Sequence, residues 1–348
     1  TQHSVKTLLE AGIQPDILVC RCEQPLNQEI KSKIARFCNV EKNAVIESMD
    51  AKSIYEVPLL MQNEGLDKVV LKKLNIPIKK IINEDNWKNF LIGLQNPKLK
   101  ISITVVGKYV ELQDAYKSIS EAIIHAGALH SCKVDVNWVH ANDINKQNIN
   151  KILNKTNGIL VAPGFGDRGI DGKIIAIKYA RENNIPFFGI CLGMQTAVVE
   201  FARNVLKLRD ANSTEMDPTT SNPVIHLMEN QKNILKKGGT MRLGSYDCHL
   251  TKKTNAINSY KKTIISERHR HRYEFNNKYK NHLQDLGMIA SGINKENNLV
   301  EIIEIPDHLW FVGVQFHPEY KSTVNSPHPL FYSFINAGIK HKNNETVR

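Results

Sequence analysis

The segment from Gly189 to Gln195 places a cysteine between two glycines, in the order Gly-Ile-Cys-Leu-Gly-Met-Gln. The apolar run Pro186–Ile190 predicts a strand that leads directly into Cys191, and a helix is predicted to follow. In this cysteine version of the nucleophile elbow, glycines permit a tight strand-to-helix turn that exposes the sulfur. The helix N-terminus favours a thiolate and presents the backbone N–H of Leu192. The pattern predicts a nucleophilic cysteine, and the alternative is a buried cysteine in a glycine-flanked turn.

Two further segments supply the groups that a cysteine nucleophile needs. His317 and Glu319 follow the strand-like run Trp310–Val314. The histidine can serve as general base to Cys191, and the carboxylate can fix its tautomer through the other ring nitrogen. The glycine loop Ala162–Gly166 also ends a strand and can aim a backbone N–H at an oxyanion. Together the segments predict acyl transfer by a Cys-His-Glu triad.

Strands must position these groups, and the sequence alternates strand-like and helix-like segments around them. Beyond residue 100 the predicted strands are Ile101–Gly107, Lys133–Val139, Gly158–Val161 and Pro186–Ile190, and the predicted helices are Asp114–Ala126 and Gly172–Asn183. This alternation predicts an α/β fold with a doubly wound, mostly parallel sheet.

The first hundred residues have the pattern of part of another α/β domain. Helices are predicted at His3–Ala11, Gln28–Phe37 and Ser53–Glu64, and strands at Asp16–Cys22 and Ala44–Glu47. Asn96-Pro97 interrupts the pattern. We predict a partial domain at residues 1–95, a linker at 96–100, a second domain at 101–342 and a tail at 343–348. The chain has no initiator methionine and opens inside or just before a helix, so we expect its N-terminus to be a cut rather than a natural start.

Composition and charge narrow the class of protein. The chain has 348 residues, of which 41% are hydrophobic and 23% charged, values that exclude a disordered or collagen-like chain. No apolar run approaches the roughly 20 residues of a membrane helix. The net charge of +11 is spread along the chain, which favours solvated lysines over a nucleic-acid surface. The six cysteines have neither metal-ligand nor disulfide spacing, so we expect no metal site and a reducing, cytoplasmic compartment.

The run Arg268–Arg272 alternates arginine and histidine, which in a strand places three arginines on one face and two histidines on the other. A nucleic-acid patch is one interpretation of this run. One arginine that binds a small substrate, with the others in structural ion pairs, is the favoured interpretation.

The sequence resembles the class I, triad-type glutamine amidotransferases and, among them, the CTP synthase family, over essentially its whole length. The motifs that carry the resemblance are Gly107–Tyr109, Asp114–Ser118, Gly164–Gly169, Gly189–Gln195, Ala211–Glu215, Gly238–Gly244, Glu267–Glu274 and Gln315–Glu319. Thr1–Lys6 and Gln14–Leu18 resemble the late part of the family's synthetase domain. The resemblance implies a class I glutamine amidotransferase domain preceded by a partial α/β synthetase domain.

For the second domain the resemblance implies a glutaminase without a cofactor. Cys191 attacks the side-chain amide carbon of L-glutamine, His317 shuttles protons, and Glu319 orients His317. The N–H groups of Gly164 and Leu192 bind the oxyanion. The residues implied in holding glutamine are Gly164, Leu192, Gly193, Met194, Gln195, Glu215 and Arg270. Physically, Arg270 suits the α-carboxylate of the substrate and Glu215 suits its α-ammonium group.

For the complete enzyme the resemblance implies that the ammonia aminates UTP to CTP at the expense of ATP, with Mg²⁺. It also implies a homotetramer and activation by GTP through a mobile lid at Gly238–Gly244, for which an ordinary loop is the alternative. The nucleotide-binding residues that it implies in this chain are Gln2 and Lys33 near the pyrimidine nucleotide, and Met49, Asp50 and Ala51 near the adenine of ATP.

Two departures from the family pattern matter. Pro163 stands where the family has the first glycine of a pair; it lacks an N–H, whereas Gly164 keeps a donor. The chain also has no P-loop pattern, so we expect it to be at most a glutaminase on its own and to make no CTP. The alternatives are an inactive remnant with a structural or assembly role, and an amidotransferase that serves another acceptor.

Overall fold

The structure is a computed structural model that describes residues 1–77, 84–227 and 241–347. It divides into two compact units, Thr1–Asp85 and Asn86–Arg348.

The first unit is built around a parallel pair of strands. Its helices and strands are α1 (Gln2–Glu10), β1 (Leu18–Cys22), α2 (Gln28–Cys38), β2 (Val45–Met49), α3 (Val57–Asn63) and α4 (Leu66–Lys73). Strand β1 pairs with β2 from Leu18–Val45 to Cys22–Met49. Its residues alternate between buried and exposed, and the buried face packs with α1 and α2 in a small apolar core.

A nine-stranded sheet forms the centre of the second unit as far as it is described. The strands of this unit are β3 (Leu99–Gly107), β4 (Cys132–His140), β5 (Gly158–Val161), β6 (Phe187–Ile190), β7 (Asn212–Ser213), β8 (Pro223–Leu227), β9 (Arg242–Leu250), β10 (Ile264–His271), β11 (Tyr273–Phe275), β12 (Ile289–Asn294), β13 (Leu299–Glu304) and β14 (Phe311–Val314). The large sheet has the order β10-β9-β12-β13-β14-β6-β5-β3-β4, and β11, β8 and β7 form a separate small sheet.

The large sheet is parallel where it carries the predicted catalytic groups. Strands β14, β6, β5, β3 and β4 run parallel, whereas β10, β9, β12 and β13 extend the sheet through antiparallel pairs. In the parallel part, β5, β6 and β14 are neighbours and their carboxyl ends meet at one edge. In such sheets ligands bind at this edge.

Helices cover both faces of the sheet. The helices of this unit are α5 (Asp85–Gln95), α6 (Lys117–Leu129), α7 (Ile149–Leu153), α8 (Ile170–Glu182), α9 (Leu192–Asn204), α10 (Asn255–Tyr260), α11 (Lys280–Asp285) and α12 (Pro329–Val347). The apolar sides of α8 and α9 belong to one buried cluster, and those of α6 and α12 belong to another. The predicted doubly wound α/β fold is confirmed.

The element bounds differ from the predicted ones in two instructive places. The predicted helix Asp114–Ala126 begins later than expected: Asp114–Tyr116 belong to a 3₁₀ turn before α6, in which the Tyr116 hydroxyl accepts the Lys108 N–H at 2.9 Å. Helix α5 was not predicted; it lies within the stretch 1–95 that we assigned to the first domain, yet it packs in the second unit, since a Cβ added to Gly93 would lie 2.0 Å from the Ala128 carbonyl oxygen. The domain bounds 1–95, 96–100, 101–342 and 343–348 remain predictions.

Candidate active site

The turn between β6 and α9 holds Cys191 in a conformation that few residues adopt. Its φ is 52° and its ψ is −104°, and its N–H donates to the Val314 carbonyl at 2.7 Å. A Cβ added to Gly189 would lie 2.8 Å from the Gly193 carbonyl, and one added to Gly193 would lie 2.2 Å from the Val161 carbonyl oxygen. The two glycines therefore permit the close packing that forces Cys191 into the elbow. Such strain in a non-glycine residue is typical of functional sites.

His317 and Glu319 lie just beyond the neighbouring strand, β14. The backbone N–H of His317 donates to the Arg268 carbonyl at 2.8 Å, which ties this segment to β10. Nδ1 of His317 is 2.8 Å from Oε1 of Glu319, and both side chains are buried. Since a carboxylate accepts, Nδ1 carries the proton of this bond and Nε2 is the nitrogen available for chemistry.

The charges around His317 hold its ring in the protonated form. Burial disfavours the cation, but the Cys191 sulfur and the Glu319 carboxylate outweigh it and raise the pKa of His317 to about 11. A buried imidazolium beside a cysteine and a carboxylate is the arrangement that an activated thiol requires.

The glycine loop Ala162–Gly166 is fastened by two buried lysines. Nζ of Lys173 donates to the Ala162 carbonyl at 2.6 Å, and Nζ of Lys108 donates to the Phe165 carbonyl at 2.9 Å and to that of Gly166. Burial lowers the pKa of Lys173 to about 7 and that of Lys108 to about 8. With these carbonyls bonded to lysines, the loop is fixed on both sides of Gly164.

The two N–H groups predicted to bind an oxyanion face no competing acceptor. In the described part of the chain, neither Gly164 nor Leu192 donates a backbone hydrogen bond. Leu192 is the first residue of α9, and a Cβ built on Gly164 would lie 3.5 Å from the Leu192 side chain. The first N–H groups of a helix are unpaired and carry its positive partial charge. Gly164 therefore lies next to the side chain of the first residue of α9.

A cavity of about 250 Å³ opens between these elements. The predicted site residues that line it are Gly164, Cys191, Gln195, Glu215 and Arg270. Oε1 of Glu215 accepts the Gly166 N–H at 2.9 Å, which fixes this carboxylate at the loop. Gln195 is buried on α9. The structure thus brings five of the predicted residues to one cavity. His317 and Glu319 do not line it, but His317 lies close enough to Cys191 for their charges to interact. The roles of all these residues remain predictions.

Gly193 and Met194 lie in the first turn of α9 and are buried. Gly193 packs against Val161, and its lack of a side chain allows α9 to approach β5 closely.

The predicted nucleotide-binding residues are dispersed over the first unit. Gln2 lies on α1, Lys33 is exposed on α2, and Met49, Asp50 and Ala51 lie at the end of β2. Asp50 accepts a hydrogen bond from Arg21 at 2.9 Å. No hydrogen bond or ion pair of the described residues joins these predicted positions to one another. Gly238–Thr240 of the predicted lid lies outside the described residues, and Arg242–Gly244 begins β9.

A buried cluster of charged groups lies behind the arginines of β10. Nη1 of Arg242 is 2.6 Å from Glu301 and 3.7 Å from Glu274. Burial raises the pKa of Glu301 to about 7, against the opposing effect of Arg242, and raises that of Glu274 well above its usual range. Nδ1 of His269 lies 2.9 Å from Nε2 of His271 in the same cluster.

Three functional candidates lie outside the residues to which sequence reasoning gave a role. Gln315 stands two residues before His317 within the recognised motif, and its amide reaches Cys191. Lys108 also stands in a recognised motif. Nothing in the sequence distinguishes Lys173 as a functional residue, because a lysine in an amphipathic helix is usually at the surface. In the structure this lysine is fully buried.

The described residues include no group of three or more metal-ligating side chains in position to hold an ion. Within the same residues no helix is both long enough and apolar enough to cross a membrane.

The family model described as "Glutamine amidotransferase class-I" matches residues 111–337, and the model "CTP synthase N-terminus" matches residues 1–76. The chain is 60% identical to a CTP synthase of Cytophaga hutchinsonii over 97% of the chain and 62% of that protein. It is 59% identical to a CTP synthase of Christiangramia forsetii over 98% of the chain and 62% of that protein.

One solved structure is also similar in sequence. It is the glutaminase domain of a Trypanosoma brucei CTPS with bound acivicin, with a TM-score of 0.66 and 36% identity over 69% of this chain and 94% of that one. The chain spans 62% of the length of the first two relatives.

Proposed function

The chain belongs to the class-I glutamine amidotransferase family, and we propose that it hydrolyses the side-chain amide of glutamine with Cys191, His317 and Glu319. The observation that carries this proposal is the meeting of three parallel strand ends at one edge of the sheet, where Gly164 and Cys191 line the cavity and the charge of Cys191 acts on His317. Strand β6 leads into Cys191, β14 leads to the His317–Glu319 pair at 2.8 Å, and β5 leads into the loop of Gly164.

The reaction proceeds in two halves. The Cys191 thiolate forms a bond to the amide carbon, and the carbonyl electrons move to an oxyanion beside the N–H groups of Gly164 and Leu192. As the C–N bond breaks, the His317 imidazolium gives its Nε2 proton to the leaving nitrogen, and ammonia departs. His317, now neutral, takes a proton from water as the water oxygen attacks the thioester. Breakdown of the second oxyanion releases glutamate and restores the thiolate–imidazolium pair.

The charges at the rim of the cavity suit a free amino acid. The Arg270 guanidinium can pair with the α-carboxylate, and Glu215, held by the Gly166 N–H, can accept from the α-ammonium group. Arg268, the other arginine on the same face of β10, lies over the Tyr320 ring at 5.9 Å and so has a partner within the fold.

In the larger enzyme we propose that the released ammonia aminates UTP to CTP with ATP and Mg²⁺. The names of the relatives and the match of residues 1–76 support this proposal. Gln2, Lys33 and the Met49–Ala51 turn are then part of the nucleotide sites. Activation by GTP, a homotetramer and a cytoplasmic location belong to the same proposal.

Ammonia release from glutamine by the purified chain tests the glutaminase. We expect ammonia release by the parent chain and none by Cys191→Ala. The far-ultraviolet circular dichroism of the variant should be unchanged, because the substitution removes only a sulfur atom from the elbow. Joined to the amino-terminal segment of its relatives, the chain should form CTP from UTP, ATP and glutamine, and Cys191→Ala should form it only from free ammonia. Full ammonia release by Cys191→Ala would contradict the assignment.

A further inference from the structure

Two buried glutamines connect the backbone of β11 to the sulfur of Cys191. Nε2 of Gln195 lies 2.9 Å from the Tyr273 carbonyl oxygen and 3.1 Å from Oε1 of Gln315. Nε2 of Gln315 lies 3.7 Å from Sγ of Cys191. Gln315 has no exposed surface and Gln195 is 4% exposed, so water does not compete for these bonds.

The direction of each hydrogen bond follows from the first one. The Tyr273 carbonyl can only accept, so the atom of Gln195 that faces it is the amide nitrogen. The second proton of that nitrogen points at Gln315, which must present its oxygen. The remaining end of Gln315 is its NH₂ group, and it faces the sulfur. A backbone carbonyl therefore orients both side chains and leaves a donor, never an acceptor, at Cys191.

We propose that Gln315 is a catalytic residue that donates a hydrogen bond to the Cys191 thiolate and stabilises it as the attacking and the leaving group. The proposal rests on the proposed function, in which the thiolate forms at the start of the reaction and again when the thioester breaks down. A thioester sulfur carries no full charge and accepts weakly, so the bond strengthens as the thiolate leaves. An interaction that is stronger in the transition state than before it accelerates the step.

Gln315 has a task at the sulfur that the charged groups there do not perform. The groups that act on the Cys191 charge are His317 with its partner Glu319 and, from α8, the buried Lys173. His317 must give its Nε2 proton to ammonia, and Lys173 donates to the Ala162 carbonyl. Gln315 is the donor that remains at the sulfur while His317 exchanges its proton.

Substituting Gln315→Met removes the donor and nearly keeps the volume. We expect kcat for glutamine hydrolysis to fall about ten- to hundredfold, the effect of losing a hydrogen bond to a charged acceptor. The rate of Cys191 alkylation by iodoacetamide should rise at higher pH than in the parent chain, by about one pH unit or more. The alkylation profile reports the thiolate directly and does not depend on turnover.

Gln315→Glu is the second variant, because it keeps the shape and the acceptor for Gln195 but places an oxygen at the sulfur. Its alkylation profile should move at least as far as that of Gln315→Met. Thr156→Val is the matched control: Thr156 is buried and its hydroxyl donates to the Gly158 carbonyl at 2.8 Å, at the opposite end of β5. This control should leave the alkylation profile and kcat unchanged.

The outcomes separate this proposal from the proposed function. If both Gln315 variants are folded and keep the alkylation profile of the parent chain, Gln315 does not act on the thiolate and the proposal is wrong, whatever the loss of activity. If the parent chain releases no ammonia but the alkylation profile moves in the variants, the glutaminase assignment fails while the hydrogen bond to the thiolate stands.

Discussion

The buried pair His269 and His271 on β10 and the single buried His317 beyond β14 are held in opposite charge states. Burial disfavours the charged form of a histidine. It lowers the pKa of His271 to about 3 and that of His269 further. His317 is also buried, yet its pKa rises to about 11 because the neighbouring Cys191 sulfur and Glu319 carboxylate favour its charged form. The neighbours of a buried histidine, and not its burial, therefore decide whether it can act as an acid.

The neutral pair is fixed by a single carbonyl. Nδ1 of His271 lies 3.2 Å from the Tyr273 oxygen, so it carries the proton, and Nε2 of His271 accepts from Nδ1 of His269. The same carbonyl orients Gln195. Arg242 supplies the positive charge of this cluster, so a second cation on either histidine would be repelled.

Removal of the positive charge of Arg242 should have the largest effect, and the effect is on stability. In Arg242→Met the Glu301 and Glu274 side chains lose the cation that lies 2.6 Å and 3.7 Å away. We expect the free energy of unfolding to fall by about 3 kcal/mol, as is typical when one partner of a buried ion pair is deleted. Urea denaturation at pH 7 measures it.

The control for this change is Arg242→Met combined with Glu301→Leu, which should recover part of the lost stability because no charge is left unpaired at that bond. A double variant less stable than Arg242→Met would show that the cluster is not an electrostatic unit.

Glu319→Gln should lower the pKa of His317 and so favour the neutral form of its ring. The variant keeps a hydrogen-bond acceptor for Nδ1 of His317 but removes the carboxylate that raises its pKa. The imidazolium should then lose its proton at lower pH, so the alkaline limb of the pH profile of kcat should move down. We expect kcat at pH 8 to fall about a hundredfold.

Glu319→Asp serves as the comparison, since it keeps the charge and shortens the reach. An unchanged alkaline limb in Glu319→Gln would mean that Glu319 orients the ring without affecting its charge.

The smallest expected effect is a pH dependence of stability. The folded-state pKa of Glu301 is raised to about 7, above its ordinary value of 4.5, so the folded state binds more protons between these pH values. Stability present at pH 4.5 is therefore lost as pH rises toward 7, by on the order of 2 kcal/mol. Urea denaturation at pH 5 and pH 7 should show this loss in the parent chain and a smaller loss in Glu301→Gln. Equal losses would place the pH dependence in another group.

The sequence predicted the parts of the site that depend on local pattern. Gly158–Val161 is a strand with the predicted bounds, and the glycines around Cys191 predicted the elbow. These features were predictable because an apolar run and the spacing of glycines are both visible in residues that are adjacent in the sequence. The antiparallel extension by β9, β10, β12 and β13 was not predicted, because its register depends on pairing between distant segments.

The electrostatics of the site could be predicted only in part. The pairing of His317 with Glu319 follows from their spacing and is present at 2.8 Å. The orientation of Gln315 depends on a carbonyl 42 positions earlier in the chain, at Tyr273, through Gln195. Lys173 becomes recognisable only when its helix is docked on the sheet and its ammonium is fully buried. Side-chain chemistry that is set by tertiary packing leaves no local pattern.

Covalent catalysis by Cys191 is tested most directly by acid quenching during glutamine turnover, followed by mass spectrometry of the cysteine-containing peptides. We expect a glutamyl thioester on the peptide that contains Cys191, its absence in Cys191→Ala, and its accumulation in Gln315→Met, where departure of the thiolate should be slowed. A glutamyl group on another cysteine, or ammonia release with no thioester at Cys191, would contradict it.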